Sequence, residues 1–176
     1  GSGERYVYKH FDTFLIQLDG TTNKSRLGGN ALLSCSMAFF KAVSQRIGLE
    51  LYEYIGLIYW DKQYSKEKFK LPTPQMLVLE GGKHGNWSTD IQEYMVVPKE
   101  KKFPNFKETI RASSEIFHAL YEVLDKKGYS VGVGCEGAYA PREIKSNKQA
   151  LDLAMEGIKN AGHEGKFELA LDVAAS

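Results

Sequence analysis

The residues best suited to chemistry lie on one glycine-rich loop between two apolar stretches. His84 lies in the loop, and Gln92 and Glu93 open the stretch that follows it. The glycine pair before His84 permits positive φ and close approach of other groups, which holds the imidazole on an open turn. An imidazole and a carboxylate at the two ends of one loop can form half of an active site. The alternative is a surface loop whose polar residues are incidental.

A second glycine-rich stretch, residues 131–141, carries Glu136. Residues 132–137 match the dinucleotide fingerprint GxGxxG literally. That fingerprint needs a helix that begins inside it, so that the pyrophosphate meets the helix N-terminus, and Pro141 argues against such a helix. We therefore favour another role for these glycines. A glutamate in a turn is usually a solvated surface group, whereas a carboxylate that faces a pocket can act as a general acid.

Asp172 lies near the end of the apolar stretch 167–173. Acidic residues are poor strand formers, so a structural or functional reason is needed for this one. At the C-terminal end of a barrel strand, a carboxylate is a natural ligand for a hard cation such as magnesium. Asp172 could equally be the N-cap of a following helix, and the residues alone leave both interpretations open.

Hydrophobic periodicity predicts the elements that position these residues. In the first part of the chain we expect helices at 11–18, 31–47 and 51–59, with Asn30 as the N-cap of the second. Residues 60–70 are rich in lysine and poor in apolar side chains, which predicts a linker.

The second part is predicted to hold two strands, two capped helices and a final strand. The predicted bounds are 75–80 and 91–97 for the first strands, Asn105–Gly128 and Ser146–Gly162 for the helices with their caps, and 167–173 for the last strand. The predicted buried residues of the helices are Phe106, Ile110, Phe117, Leu120 and Leu124, then Leu151, Met155 and Ile158. This order predicts the beginning of an α/β sheet or barrel, with an open parallel edge.

The composition narrows the class of protein. The 176 residues are 43% hydrophobic and carry a net charge of +1, so charge favours neither nucleic acid nor an anionic membrane as a partner. No apolar run approaches the roughly 18 residues of a membrane-spanning helix. Cys35 and Cys135 are too few for a disulfide framework or a zinc site and predict a reducing, cytoplasmic location. The opening Gly1-Ser2-Gly3 is interpreted as a cloning scar.

Four stretches of the sequence together resemble the enolase (phosphopyruvate hydratase) family. They are FLIQLDGTTNKSRLGGNALLSCSMAFFKA, GGKHGNWSTDIQEYMVVP, VGVGCEGAYAP and ELALDVAAS. They are similar, in order, to the family's LDGT, NK and LGANAILGVS pattern, its GG-x-H loop followed by QEFM, its VGDEGGFAP loop and its IGLDVAAS strand. Four motifs in the right order and with fitting spacing make this resemblance highly specific.

The resemblance implies roles for five residues. Glu136 matches the carboxylic acid that protonates the leaving hydroxyl. His84, Gln92 and Glu93 match residues that line the substrate pocket, and Asp172 matches the first of three acidic magnesium ligands. The family's glycolytic reaction interconverts 2-phosphoglycerate with phosphoenolpyruvate and water, and bound Mg²⁺ stabilises the deprotonated substrate.

The resemblance also implies an α/β fold. Residues 4–70 would be the helical part of the N-terminal capping domain, and residues 71–176 the first strands and helices of a partial enolase-type TIM barrel. The implied partner is a small-molecule substrate, with no nucleic acid and no membrane, and the full-length protein would be a homo-oligomer.

Three positions depart from the family pattern. Cys135 replaces the usual aspartate beside Glu136, Ala138 replaces a glycine, and Glu80 stands where an asparagine usually precedes the glycine pair. None of these changes removes an implied functional group. The loss of a charged neighbour at Cys135 could alter how Glu136 is oriented.

Several family segments have no counterpart in the sequence. These are the N-terminal strands with their serine loop, two more metal ligands, the lysine base and a phosphate-binding arginine. We therefore expect an internal piece of a Mg²⁺-dependent enolase that is inactive alone. The alternative is an enolase-like binding or assembly protein that has lost catalysis.

Overall fold

The computed structural model describes residues 7–175 and divides into two compact units, Gly1–Lys70 and Leu71–Ser176. Side chains are described from His10 onward. The interpreted cloning scar, residues 4–6 of the first predicted domain and Ser176 lie outside the described residues. None of the helices in the described part combines the length and apolar character needed to cross a membrane.

The first unit contains three helices, α1 (Val7–Asp19), α2 (Gly29–Arg46) and α3 (Leu51–Trp60). Helix α2 begins earlier than predicted, because Gly28 is its N-cap residue and adopts φ 90°. Asn30 therefore lies in the first turn, and its predicted role as N-cap is wrong. A β-carbon at Gly28 would lie 2.7 Å from Asn30 Oδ1, so the glycine also makes room for this side chain.

Asp19 organises the loop between α1 and α2. Its carboxylate is 1% exposed, and Oδ1 accepts a hydrogen bond from Leu27 N–H at 2.7 Å. Oδ2 accepts from both the hydroxyl and the N–H of Thr21. These bonds favour the ionised form and lower the pKa of Asp19 below its ordinary value. The polar loop is thus ordered by a single buried carboxylate.

Residues 60–70 pack against α3, so the predicted linker is wrong. Two short 3₁₀ turns, Asp61–Gln63 and Lys66–Lys68, form this segment. The ring centroids of Trp60 and Phe69 are 4.9 Å apart, and Lys66 Nζ lies 2.7 Å from Glu53 Oε1. The aromatic contact and the ion pair hold the segment against α3 although it is rich in lysine.

The second unit contains three strands and two helices. They are β1 (Met76–Glu80), β2 (Glu93–Pro98), α4 (Phe106–Lys126), α5 (Asn147–Asn160) and β3 (Phe167–Asp172). The strand order is β1-β2-β3, and both pairings are antiparallel, so the predicted parallel edge is wrong. The reason lies in the connections: the β1–β2 loop contains no helix, and α4 and α5 together return the chain to the end where β2 finished.

The predicted caps of both long helices are confirmed. Asn105 Oδ1 accepts a hydrogen bond from Glu108 N–H at 2.9 Å, and Ser146 Oγ accepts from Gln149 N–H at 3.2 Å. The predicted buried face of α4 is only partly right: Leu120 and Leu124 are fully buried, but Phe106 is 40% exposed.

Small buried residues occur on both α4 and α5, and one of them lies where the two helices are close together. The buried positions of the two helices include Ala112 and Ser113 on α4 and Ala150, Ala154 and Gly157 on α5. A β-carbon at Gly157 would lie 3.1 Å from Leu120 Cβ, so the helices approach closely there. Met155, predicted to be inside, is instead 47% exposed.

Leu120→Ala should destabilise the second unit by about 2–5 kcal/mol, because the lost methyl groups leave a cavity where the fully buried Leu120 of α4 packs beside Gly157 of α5. Urea unfolding followed by NMR amide signals of residues 71–176 measures this loss. The control is Met155→Ala, at an exposed position of α5. Equal effects of the two substitutions would contradict the packing described.

Candidate functional site

The loop between β1 and β2 is folded tightly on its glycines. Gly81 N–H donates to Gln92 O, and Gly82 N–H donates to Thr89 O, each at 2.8 Å. A β-carbon at Gly81 would lie 1.8 Å from Thr89 Oγ1, so no other residue fits there without rearrangement. His84 is carried on this loop with 22% of its side chain exposed.

Asn147, the first residue of α5, fastens the far end of the same loop. Its Oδ1 accepts hydrogen bonds from Asp90 N–H at 3.0 Å, Ile91 N–H at 3.4 Å and the Tyr94 hydroxyl at 3.1 Å. Local sequence patterns do not predict this contact, because the partners are more than fifty residues apart along the chain. The loop therefore ends at a fixed point just before Glu93.

The glycine-rich stretch that carries Glu136 lies beside the free edge of β1. Tyr139 N–H donates to Val78 O at 3.2 Å, and Tyr139 O accepts from Glu80 N–H at 2.9 Å. Residues 132–137 are all described and none of them is helical, so the helix required by a dinucleotide fingerprint does not begin there. These glycines bring the backbone close to β1 instead.

Glu80, the last residue of β1, holds this stretch in place. The residue is 2% exposed, and its Oε1 accepts hydrogen bonds from Glu136 N–H at 3.1 Å and Ala138 N–H at 2.9 Å. A β-carbon at Gly134 would lie 1.9 Å from Glu80 Oε2. Sequence comparison marked Glu80 only as a departure from the family pattern. The one sequence feature that could have predicted these hydrogen bonds is the position of a charged residue at the end of an apolar strand.

The structure brings three of the predicted site residues together. His84 Nδ1 lies 3.6 Å from Glu136 Oε1, and one potential ligand atom from each of His84, Glu93 and Glu136 lies within 4.8 Å of the others. Gln92 joins them through a hydrogen bond between its side chain and the Glu93 carboxylate. Glu136 is the most open member, with 43% of its side chain exposed.

Glu93 has an electrostatic environment that disfavours its charged form. Burial raises the pKa of its carboxyl group above the ordinary value, and the Glu136 charge, a hydrogen bond shared with Glu136 and the Asp172 charge raise it further. The hydrogen bond from Gln92 acts in the opposite direction. These surroundings favour the protonated form of the Glu93 carboxyl group, and a nearby cation would favour the charged form instead.

Asp172 lies next to this group and is exposed. It is the last residue of β3 and pairs with Glu93 in the β2–β3 register. Its Oδ1 accepts a hydrogen bond from Ala174 N–H at 2.8 Å, two residues on. Among the described residues, it belongs to neither of the two clusters of three potential metal ligands. The magnesium-ligand role of Asp172 stays a prediction.

The two ligand clusters share His84. One consists of His84, Glu93 and Glu136, and the other of Glu80, His84 and Cys135. Both lie where β1 and β3 end and β2 begins, because the sheet is antiparallel. The site can thus offer carboxyl groups for acid–base chemistry and oxygen, nitrogen and sulfur atoms for a cation.

Comparison with known proteins gives two family matches. The family described as "Enolase, N-terminal domain" matches residues 4–55, and the one described as "Enolase, C-terminal TIM barrel domain" matches residues 68–176. A curated relative, Enolase 1 of Chlorobaculum tepidum, is 44% identical over 176 aligned residues. That alignment covers 96% of this chain and 39% of the relative.

Glu93→Gln should change how stability depends on pH. Because the folded-state pKa of Glu93 is raised, its contribution to stability is fully present below the ordinary value of 4.5 and is lost as pH rises through the raised value. Glutamine stays neutral, so the variant should gain stability relative to the parent as pH rises from 4.5 towards neutrality.

Urea unfolding at several pH values, followed by NMR signals of residues 71–176, measures this difference. Glu164→Gln, in the exposed turn before β3, controls for the loss of one negative charge. A constant difference between Glu93→Gln and the parent across this range would contradict the description of Glu93.

Proposed function

The chain belongs to the enolase family, and from that premise we propose that the protein carrying these residues is a lyase that reversibly dehydrates 2-phosphoglycerate to phosphoenolpyruvate. The chain spans 39% of the length of the curated relative it matches. The proposal therefore concerns the whole protein. The observation that supports it best is the convergence of His84, Glu93 and Glu136 within 4.8 Å at one end of the sheet.

Glu136 is the proposed general acid. Its backbone is fixed by the Glu80 carboxylate, while its own carboxyl group remains accessible beside His84. A proton held on Glu136 would pass to the leaving hydroxyl of the substrate as the C–O bond breaks, and water would leave. Fixing the backbone keeps the acid oriented without blocking it.

His84, Gln92 and Glu93 are the proposed substrate contacts. His84 lies on a loop held at both ends, and Glu93 is aligned by the hydrogen bond from Gln92. A small molecule that carries phosphate and carboxylate groups would meet an imidazole, an amide and a carboxyl group that can be protonated. These three polar groups would orient the substrate through hydrogen bonds rather than bind it through apolar contacts.

Asp172 is the proposed first ligand for Mg²⁺. Carboxylate oxygens are the ligands that Mg²⁺ prefers, and Glu93, Glu136 and Asp172 concentrate negative charge where a cation would reduce their repulsion. These donors fit the metal. When bound, Mg²⁺ supplies positive charge that stabilises negative charge developing on the substrate carboxylate.

We propose that the two units are two domains of the enolase family. Residues 4–70 would be the helical part of the enolase N-terminal domain and residues 71–176 the first portion of the barrel, supported by the two family matches and by the division after Lys70. Further proposals are a cytoplasmic location, a homo-oligomeric full-length protein, and partners that include neither nucleic acid nor a membrane; the net charge of +1 fits both exclusions.

A non-catalytic binding or assembly protein is the second candidate. Cys135 and Glu80 are its support, because they change the immediate surroundings of Glu136. The coding sequence beyond Ser176 discriminates the two candidates. Glutamate and aspartate at the next two strand ends, followed by a lysine base, would support the enzyme; their absence would support the binding protein.

In the complete protein, Glu136→Gln should lower kcat by about 10²–10⁴-fold, as expected for the loss of an acid catalyst. The appearance of phosphoenolpyruvate from 2-phosphoglycerate, followed by ultraviolet absorbance with Mg²⁺ present, measures this. Glu164→Gln lies where β3 begins, away from the end of β3 that carries Asp172, and should leave kcat unchanged. Undiminished turnover in Glu136→Gln would refute the role of Glu136.

The 176-residue chain alone should form no phosphoenolpyruvate at an enzyme-like rate, because no lysine in it matches the base and Asp172 is the single carboxylate matched to a metal ligand. The same absorbance assay with Mg²⁺ checks this expectation. Turnover comparable to that of the complete protein would overturn it.

A further inference from the structure

We propose that Glu80, His84 and Cys135 form a binding site for a zinc-like divalent cation, distinct in its ligands from the magnesium site proposed at Asp172. One potential ligand atom from each of the three residues lies within 4.8 Å of the other two. The set combines a carboxylate, an imidazole and a thiol. That combination is typical of zinc sites, in which three protein ligands leave a fourth position open.

Two of the three residues carry a buried side-chain atom with no hydrogen-bond partner among the described residues. Glu80 Oε2 is one of them, although Oε1 of the same carboxylate accepts two backbone N–H groups. His84 Nδ1 is the other. A buried polar atom without a partner costs free energy, and a nearby cation would remove that cost for both atoms at once.

Cys135 supplies the third ligand from the solvent side. It is a free, exposed cysteine, so the site has an entry path and a thiol that can lose its proton on metal binding. Gly134 places it there: a β-carbon at Gly134 would lie 1.9 Å from Glu80 Oε2, so only glycine lets the chain pass the carboxylate this closely. The number of cysteines does not predict this site, because its other two ligands are a glutamate and a histidine.

The donor atoms decide which cation is preferred. Sulfur and nitrogen ligands select zinc and similar metals, whereas Mg²⁺ prefers oxygen. In a tetrahedral zinc site, bonds of about 2.0–2.3 Å place ligand atoms about 3.3–3.6 Å apart. Small side-chain rotations of the exposed Cys135 and the half-buried His84 would shorten the distances between ligand atoms to these values. Glu80 is already fixed by its two hydrogen bonds from the backbone.

Occupation of this site would withdraw His84 from Glu136. His84 Nδ1 lies 3.6 Å from Glu136 Oε1, and His84 belongs to both ligand clusters. If the proposed function holds, a zinc-like cation would therefore inhibit the enzyme by removing a substrate contact. The cation site itself does not depend on that function, and it can be tested by binding alone.

The test is titration of the 176-residue chain with Zn²⁺ against a chromophoric chelator, and with Co²⁺ under reducing conditions. We expect one equivalent to bind, with a cobalt spectrum that contains a thiolate-to-metal charge-transfer band. Excess Mg²⁺ should not displace it. Failure of Zn²⁺ to bind, or a cobalt spectrum without the thiolate band, would overturn the proposal without touching the proposed enolase activity.

Cys135→Ser is the decisive variant, because the exposed side chain can change without disturbing the core. It should abolish the thiolate band and weaken Zn²⁺ binding by about tenfold or more. Replacing a residue that merely hydrogen-bonds to a metal ligand already lowers metal affinity by that factor. Cys35→Ser, at the other free and exposed cysteine, is the matched control and should bind as the parent does. Retention of the band in Cys135→Ser, or its loss in Cys35→Ser, would refute the site.

Discussion

One buried carboxylate holds the candidate site together. Glu80 ends β1, and its Oε1 accepts two backbone N–H groups from the glycine-rich stretch that carries Glu136. Backbone donors compensate a polar group that would otherwise be costly to bury. Because the bonds go to backbone atoms, they fix the path of the chain and leave the Glu136 carboxyl group available to contact His84 and Glu93. The positions of Glu136 and Cys135 therefore depend on Glu80.

Strand direction determines which residues can meet. In the antiparallel sheet, the beginning of β2 lies beside the ends of β1 and β3, which places Glu80, Glu93 and Asp172 in one row. A parallel arrangement would have put Glu93 at the opposite end of the sheet. The helix pair α4–α5 makes this topology possible, and the close approach at Gly157 keeps its two helices in contact.

Local signals and motifs predicted much of the fold and of the site. Strand bounds were right to within one or two residues, and the caps at Asn105 and Ser146 were found because capping needs only residues three apart. Strand direction, the packed segment 60–70 and the contacts of Asn147 were missed. Each depends on partners distant in sequence, which periodicity does not report. Glu80 was noticed for being unusual, but its partners could be seen only in three dimensions.

The fastening of the hairpin loop by Asn147 has a mechanical consequence. Three hydrogen bonds to one side chain fix Asp90, Ile91 and Tyr94 to the start of α5. The loop cannot open at this end without breaking those bonds. Hydrogen bonds inside the loop also join Gly81 to Gln92 and Gly82 to Thr89. The positions of His84 and Glu93 therefore depend on helix α5, although neither residue belongs to it.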